Sequence, residues 1–272
     1  MNINFITNIL NNICFALNDL TKSIKLKHIW YNLAISEIKS SYKRTKLGPI
    51  WITLSTLALL GAMGPLYSKI FGAKLEDYFL YLACGFIFWD FTRSSIVEMG
   101  SAYVNNRDIL LSNNFPYSLY LLKTLFKNLI TLFHNFFIVI LAIFIINKTF
   151  GIIQITFFIG LILSSLLILN FLLIISIICT RYRDIVQIIN SIMTVMFFLT
   201  PIIWHTDLLK DRLVFIYGNP FFLIIDSMRS PLIYNEFPIY TNLLIALILI
   251  ASLPFTLYFF GKYKSKIPFW TS

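Results

Sequence analysis

Asp90, Arg93 and Glu98 fall in or beside a run that is otherwise apolar from Tyr78 to Val97. Ionisable groups at bilayer depth are costly, which makes them functional candidates by default. Asp90 and Arg93 stand at i and i+3 and share a helix face, so they can neutralise each other as an internal pair or act as a substrate-contacting or gating pair. Other chemistry lacks its parts. The sequence has no GxxxxGK[ST], no GxGxxG and no HExxH, hence no recognised loop for holding and splitting a nucleotide and no recognised zinc-protease helix. His28, His134 and His205 are far apart along the chain, and Cys14, Cys84 and Cys179 are isolated thiols without CxxC spacing. No catalytic residue, metal ligand or cofactor is therefore assigned to this chain. A proton-coupled carrier would need acids along several helices, and after residue 150 the apolar runs offer only Asp184, at an edge.

Three further groups could contact something outside the chain. Lys39, Lys43, Arg44 and Lys46 gather just before Gly48-Pro49, where anionic headgroups would meet them. Two short polar segments separate apolar runs: NNRDILLSNNFP, Asn105 to Pro116, and TRYRDI, Thr180 to Ile185. The stretch Asn105, Asn106, Arg107, Asp108, Ile109, Leu110 and Leu111 fits a short amphipathic helix parallel to the membrane, a surface on which a cytosolic partner could push. Arg181, Tyr182, Arg183 and Asp184 form a second polar turn. The aromatic residues make up 17% of the chain, and Trp30, Trp51, Trp89, Trp204 and Trp270 fall near run boundaries, as an interfacial belt would. Aromatic faces also suit sugar rings that must slide, and Trp51, Tyr67, Phe71, Phe197, Phe198 and Trp204 on the first and fifth runs could line such a path.

The elements that carry these residues follow from composition. Of 272 residues 58% are hydrophobic and 12% charged, against roughly 25% charged in a soluble domain. Crossing a bilayer takes roughly 20 apolar helical residues, which yields six runs, about 49–71, 78–97, 119–146, 152–180, 185–204 and 239–261. Lys123 and Lys127 at the start of the third would snorkel toward headgroups. With both termini inside, sixteen of the 22 Lys and Arg lie on the cytoplasmic side, as the positive-inside rule asks. The net charge of +10 thus reads as orientation, and nucleic acid is excluded as a partner because the basic residues sit in short segments between apolar runs. The N-terminal sequence lacks the marks of a secretory signal.

Residues 22–46 read as an amphipathic helix. Lys25, Asn32, Ser36, Lys39 and Lys43 share one face, and Tyr31, Ala34, Ile35, Ile38 and Tyr42 the other, suiting either the interface with membrane lipids or packing on a partner. Between the fifth and sixth runs, Gly218-Asn219-Pro220 interrupts an apolar stretch too short to cross, which predicts re-entrant half-helices around 208–217 and 220–232. The expectation is an all-α integral membrane protein. A cytoplasmic segment with its interfacial helix spans 1–48, a six-helix transmembrane domain 49–262 with a re-entrant outer region at 205–238, and a short cytoplasmic tail 263–272.

These pieces, in this order, resemble the membrane subunits of type-2 ATP-binding cassette exporters for O-antigen, capsular polysaccharide or teichoic acid. The likeness covers about residues 30–265 and rests on the basic run into Gly48-Pro49-Ile50-Trp51, NRDILL before Phe115-Pro116, TRYRDI, FFLTPIIW from Phe197 to Trp204, and Gly218-Asn219-Pro220. It implies a homodimeric channel in the bacterial inner membrane joined to two copies of a separate nucleotide-binding ATPase subunit, which would hold ATP and Mg²⁺. By the same likeness 105–111 is the coupling helix, 181–184 a second ATPase contact, and Lys39, Lys43, Arg44 and Lys46 the place where a polyprenyl-pyrophosphate-linked polysaccharide arrives. Two alternatives remain at this point: the same architecture moving a drug, haem or another lipid, and a membrane-embedded glycan transferase or polymerase.

Overall fold

The computed structural model describes residues 3–43, 45–146, 151–207 and 213–271, and its regular elements are helices, with no strand among these residues. Two helices, α1 (Ile3–Lys25) and α2 (Lys27–Ser41), precede the apolar body. The body consists of α3 (Ile50–Ile70), α4 (Leu75–Gly100), α5 (Ala102–Asn105), α6 (Arg107–Ser112), α7 (Ser118–Ile145), α8 (Ile152–Ile155), α9 (Phe157–Arg181), α10 (Asp184–Leu199), α11 (Leu213–Tyr217), α12 (Pro220–Ile233) and α13 (Ile239–Tyr263). A 3₁₀ turn and α14 (Ile267–Thr271) follow. Each expected apolar run is helical over most of its length. Among the described residues four stretches are long and apolar enough to cross a membrane: α3, α7, α8 with α9, and α13 with its extension. α4 has 26 residues but carries Glu76, Asp77, Asp90, Arg93 and Glu98. α10 has 16 residues, about 24 Å at 1.5 Å per residue, short of a core about 30 Å thick.

The end of α10 corrects the expected fifth run, which extended to Trp204. Pro201 disfavours helical backbone at the residue before it, Thr200 is extended with ψ 137°, and the helix stops at Leu199. Irregular backbone at this depth persists only where protein satisfies it. Here the Tyr78 hydroxyl donates to the Ile203 carbonyl at 2.8 Å, and the Tyr81 hydroxyl to those of Pro201 and Trp204 at 3.1 and 2.9 Å. The Arg229 guanidinium donates to the Pro201 carbonyl at 2.8 Å, and Asn219 Nδ2 to Thr200 Oγ1 at 2.9 Å. Asn219 also caps α12, accepting from Phe221 N–H, with Pro220 at the first helical position. α12 matches the second expected half-helix. α11 covers the end of the first, whose residues 208–212 lie outside the described ones.

α4 forms the centre of the fold, with α7, α9 and α12 packed on it and α3 and α10 flanking it. Small residues allow the closest approaches, as in other helix pairs within membranes. A Cβ placed on Gly160 of α9 would stand 2.2 Å from the Ser227 carbonyl oxygen of α12, and one on Gly261 of α13 would stand 1.9 Å from that of Asn12 in α1. Polar clasps fasten the same helices: Ser164 to Ser227 at 3.1 Å, Asn170 to Ser252 at 2.7 Å and Thr256 to Asn170 at 2.5 Å.

The N-terminal segment forms two helices where one was expected over 22–46, with a break at Leu26. α1 lies on α13 and α7. Its buried Asp19 accepts from Tyr117 N–H, Ser118 N–H and the Ser118 hydroxyl at the start of α7, and Lys264 comes within 3.4 Å. A carboxylate from a distant helix thus caps α7, where the helix dipole favours negative charge. α2 turns Ala34 and Ile38 inward as its pattern predicts, but its neighbour is α7 of the same chain.

Candidate functional site

A polar stripe runs through three apolar helices. On α4, Asp90, Ser94 and Glu98 recur every four residues. On α7, Lys127, Asn128, Thr131 and Asn135 recur at helical spacing, and Ser55 and Thr56 face them from α3. These residues, with Ser41 and Tyr42 at the end of α2, line a cavity of about 460 Å³. The Ser55, Thr56 and Thr131 hydroxyls donate to carbonyls of their own helices, bonds that a rotamer change can redirect. Asn135 is buried and its Oδ1 has no hydrogen-bond partner. Asp90, a Glu98 carboxylate neutralised by Lys127, and neutral hydroxyls and amides suit a hydroxyl-rich group. Lys39, Lys43 and Lys46 are exposed beside its α2 edge, while Arg44 lies outside the described residues.

Asp90 and Arg93 divide between two sides of α4. Asp90 lines this cavity, whereas Arg93 donates to Asn190 of α10 at 2.9 Å, and no ion pair joins the two among the described residues. Of the two expected roles, a closed ion pair is not formed: the charge of Arg93 still acts on Asp90, while its guanidinium bonds the acceptor that α10 offers.

At the mouth of the cavity the charges form a clasp. Lys123, only 6% exposed, reaches Glu37 of α2 at 2.5 Å and Asn106 at 2.7 Å. Lys127 bridges Glu37 at 2.9 Å and Glu98 at 2.7 Å. These lysines were expected to extend toward headgroups, but carboxylates on α2 and α4 hold them within the protein. Burial works to raise the pKa of Glu37, and the hydrogen bonds and charges of Lys123 and Lys127 outweigh it, leaving the carboxyl below its ordinary value. Sequence spacing had no means of linking Glu37 to residues some ninety positions away. The stripe on α7 is legible as a period but leaves no mark on hydropathy, which averages out scattered Asn and Thr.

The clasp ends on the 105–111 element. Its helix begins at Arg107, two residues later than expected, because Asn105 closes α5 and Asn106 turns its side chain inward onto Ala102 and Lys123. Asn105, Arg107, Asp108 and Leu111 are exposed, Ile109 is half-buried, and Leu110 is buried. Arg181, Tyr182, Arg183 and Asp184 are exposed as well. α14 packs on α5, α6 and α9 and joins the two segments into one surface, with the Arg181 guanidinium 5.4 Å from the Trp270 ring centre.

The aromatic candidates separate into two groups. Tyr67 stacks on Phe71 at 6.3 Å, and Phe71 meets Tyr78 at 5.9 Å on the α3 side of α4. Phe197 contacts Phe86, Trp89 and Phe198 on the α10 side, and Trp204 Nε1 donates to the Phe198 carbonyl. Trp51 and Phe198 are exposed. No ring contact joins the two groups among the described residues.

Residues 30–233, from α2 through α12, match the family model described as ABC-2 type transporter. The chain is also similar to a protein of Myxococcus xanthus named O-antigen export system permease protein RfbA, at 20% identity over 76% of this chain and 81% of that protein.

Proposed function

The chain belongs to the ABC-2 type transporter family, and from that membership we propose that it is the channel-forming permease subunit of an exporter that moves polyprenyl-pyrophosphate-linked polysaccharide, of O-antigen or capsule type, across the bacterial inner membrane. Membership makes it a membrane transport component that works with an ATP-binding subunit. In this reading that subunit is present in two copies, holds the ATP and Mg²⁺, and seats against Arg107, Asp108, Leu111 and the 181–184 turn. Both termini are cytoplasmic and the chain crosses six times, α4 and α10 included, their charged or short stretches covered by neighbours. A second copy of the chain covers the apolar faces of α3 and α10, where Leu54, Leu57, Leu66, Ile188, Ile192 and Val195 are exposed.

The observation that carries the reading to a glycan-bearing substrate is the polar cavity below a basic rim. Lys39, Lys43, Arg44 and Lys46 suit a pyrophosphate. The Asp90, Asn128, Thr131 and Asn135 stripe suits hydroxyl groups, and the Trp51, Tyr67, Phe71, Phe197, Phe198 and Trp204 faces suit sugar rings in transit. The similarity to the Myxococcus xanthus permease supports the same substrate class. The test is deletion of the gene, with lipid-linked glycan extracted from inverted and right-side-out membrane vesicles. Export predicts polymer accumulating on the cytosolic face and lost from the surface, with recovery on complementation. Surface polymer unchanged in the deletion strain refutes it.

A further inference from the structure

A second concave site, about 420 Å³, lies at the opposite end of the fold. α12 sets Phe222, Asp226, Arg229 and Ser230 on one face at helical spacing. Asn235 then takes a left-handed conformation, φ 55°, which a short polar side chain tolerates. That reversal brings Tyr234, Glu236 and Phe237 back over the helix, and Pro238 leads into α13 with Tyr240 in its first turn.

The floor is polar and buried. Arg229 is 1% exposed and lies 4.4 Å above the Tyr81 ring, with one terminal nitrogen donating to Pro201. Its Nε–H has no acceptor, although the residue lines the pocket. Beside it Asp226 accepts from the Ser230 hydroxyl at 2.8 Å. The rim is aromatic and open, since Tyr217, Tyr234, Phe237 and Tyr240 are all exposed and Tyr240 reaches 79%.

Three ligand classes fit poorly. Asp226 and Glu236 repel an anion, and no group of side chains able to hold a metal ion occurs among the described residues. A lipid tail would desolvate the carboxylate and the guanidinium without replacing their hydrogen bonds. A pyranose meets the demands of the rim and floor: C–H faces for the tyrosines and phenylalanine, and hydroxyls to donate to Asp226 and Glu236. The volume lies within the usual range for small-ligand sites, about 300 to 1,000 Å³. We propose that this pocket binds a sugar unit of a neutral glycan on the outer face, holding the polymer as it leaves. Its placement on the outer face rests on the export reading above; the binding chemistry does not.

The test uses the full chain in lipid nanodiscs and saturation-transfer-difference NMR with methyl glycosides of glucose, galactose, mannose, rhamnose and N-acetylglucosamine as probes. At least one glycoside is expected to receive saturation from the wild-type chain. The signal is expected to fall in Tyr240→Ala/Glu236→Gln, whose side chains are exposed, and to be kept at wild-type strength in Gly61→Ala, where the added Cβ meets nothing within 4 Å. Absence of signal with every glycoside, or a signal undiminished in the double variant, overturns the proposal and marks the tyrosines as an interfacial belt only. Should glycoside binding behave as expected while the deletion strain still displays its polymer, the export reading falls and the pocket stands.

Discussion

Replacing Gly160 with alanine tests how α12 is held. The added Cβ would stand 2.2 Å from the Ser227 carbonyl oxygen and 2.7 Å from its carbon. Ordinary contact begins at 3.4 Å, so α12 must retreat by about 1.2 Å, more than a close-packed interior absorbs without strain. The Ser164–Ser227 hydrogen bond, already 3.1 Å, does not survive that shift. Overpacking costs about 1–3 kcal/mol and the lost bond about 1 kcal/mol, while alanine returns about 1 kcal/mol of helix propensity. The net destabilisation is thus about 1–3 kcal/mol. Gly61 supplies the control, since a Cβ there meets nothing within 4 Å and Gly61→Ala keeps the propensity gain alone. Stepwise heating of the detergent-solubilised chain, followed by size-exclusion, should rank Gly61→Ala at or above wild type and Gly160→Ala clearly below. Equal survival of Gly160→Ala and wild type would refute the close approach of α9 and α12.

Tyr81→Phe removes the one hydroxyl proton shared between the Pro201 and Trp204 carbonyls and, at about 1 kcal/mol for the bond, lowers heat resistance at the low end of the range given for Gly160→Ala. Glu37→Gln weakens the clasp with a defined pH dependence. Because the Glu37 carboxyl lies below its ordinary value of 4.5, its contribution is fully present above that value and is lost as pH falls through the depressed one. The stability gap between wild type and Glu37→Gln should therefore be constant near neutrality and close in acid; a gap that persists there contradicts the clasp. Arg107→Glu with Leu111→Ala should reduce co-purification of the ATP-binding subunit while leaving heat resistance of the chain alone unchanged.

Hydropathy located the long helices α3, α4, α7, α9, α10 and α13 because each is built on an apolar run, and Gly218-Asn219-Pro220 marked the start of α12 by interrupting an apolar stretch. What composition misses is the identity of neighbours. Arg229 reads as an outer-loop cation, yet it is buried, because the irregular turn after Leu199 supplies a carbonyl and α4 supplies the face of Tyr81. Lys123 and Lys127 read as lipid-facing until α2 brings Glu37 beside them. The first 25 residues look unremarkable because α1 is only half apolar, and its inward side acquires meaning once α13 and its Gly261 are present. Asp90 and Arg93 are legible in the sequence as ionisable groups within an apolar helix. The contact of Arg93 with Asn190 is not, since Asn190 lies on another helix.

The seat of α1 also constrains the order of assembly. Asp19 meets the start of α7 and then Lys264, while Asn12 rests against Gly261. α1 therefore reaches its final seat only after α13, more than two hundred residues later in the chain, has been synthesised. Until then the side of α1 that meets α13 must wait on a chaperone or on the bilayer surface, so chains halted before residue 261 would carry an α1 held by α7 alone, open to proteases of the quality-control machinery.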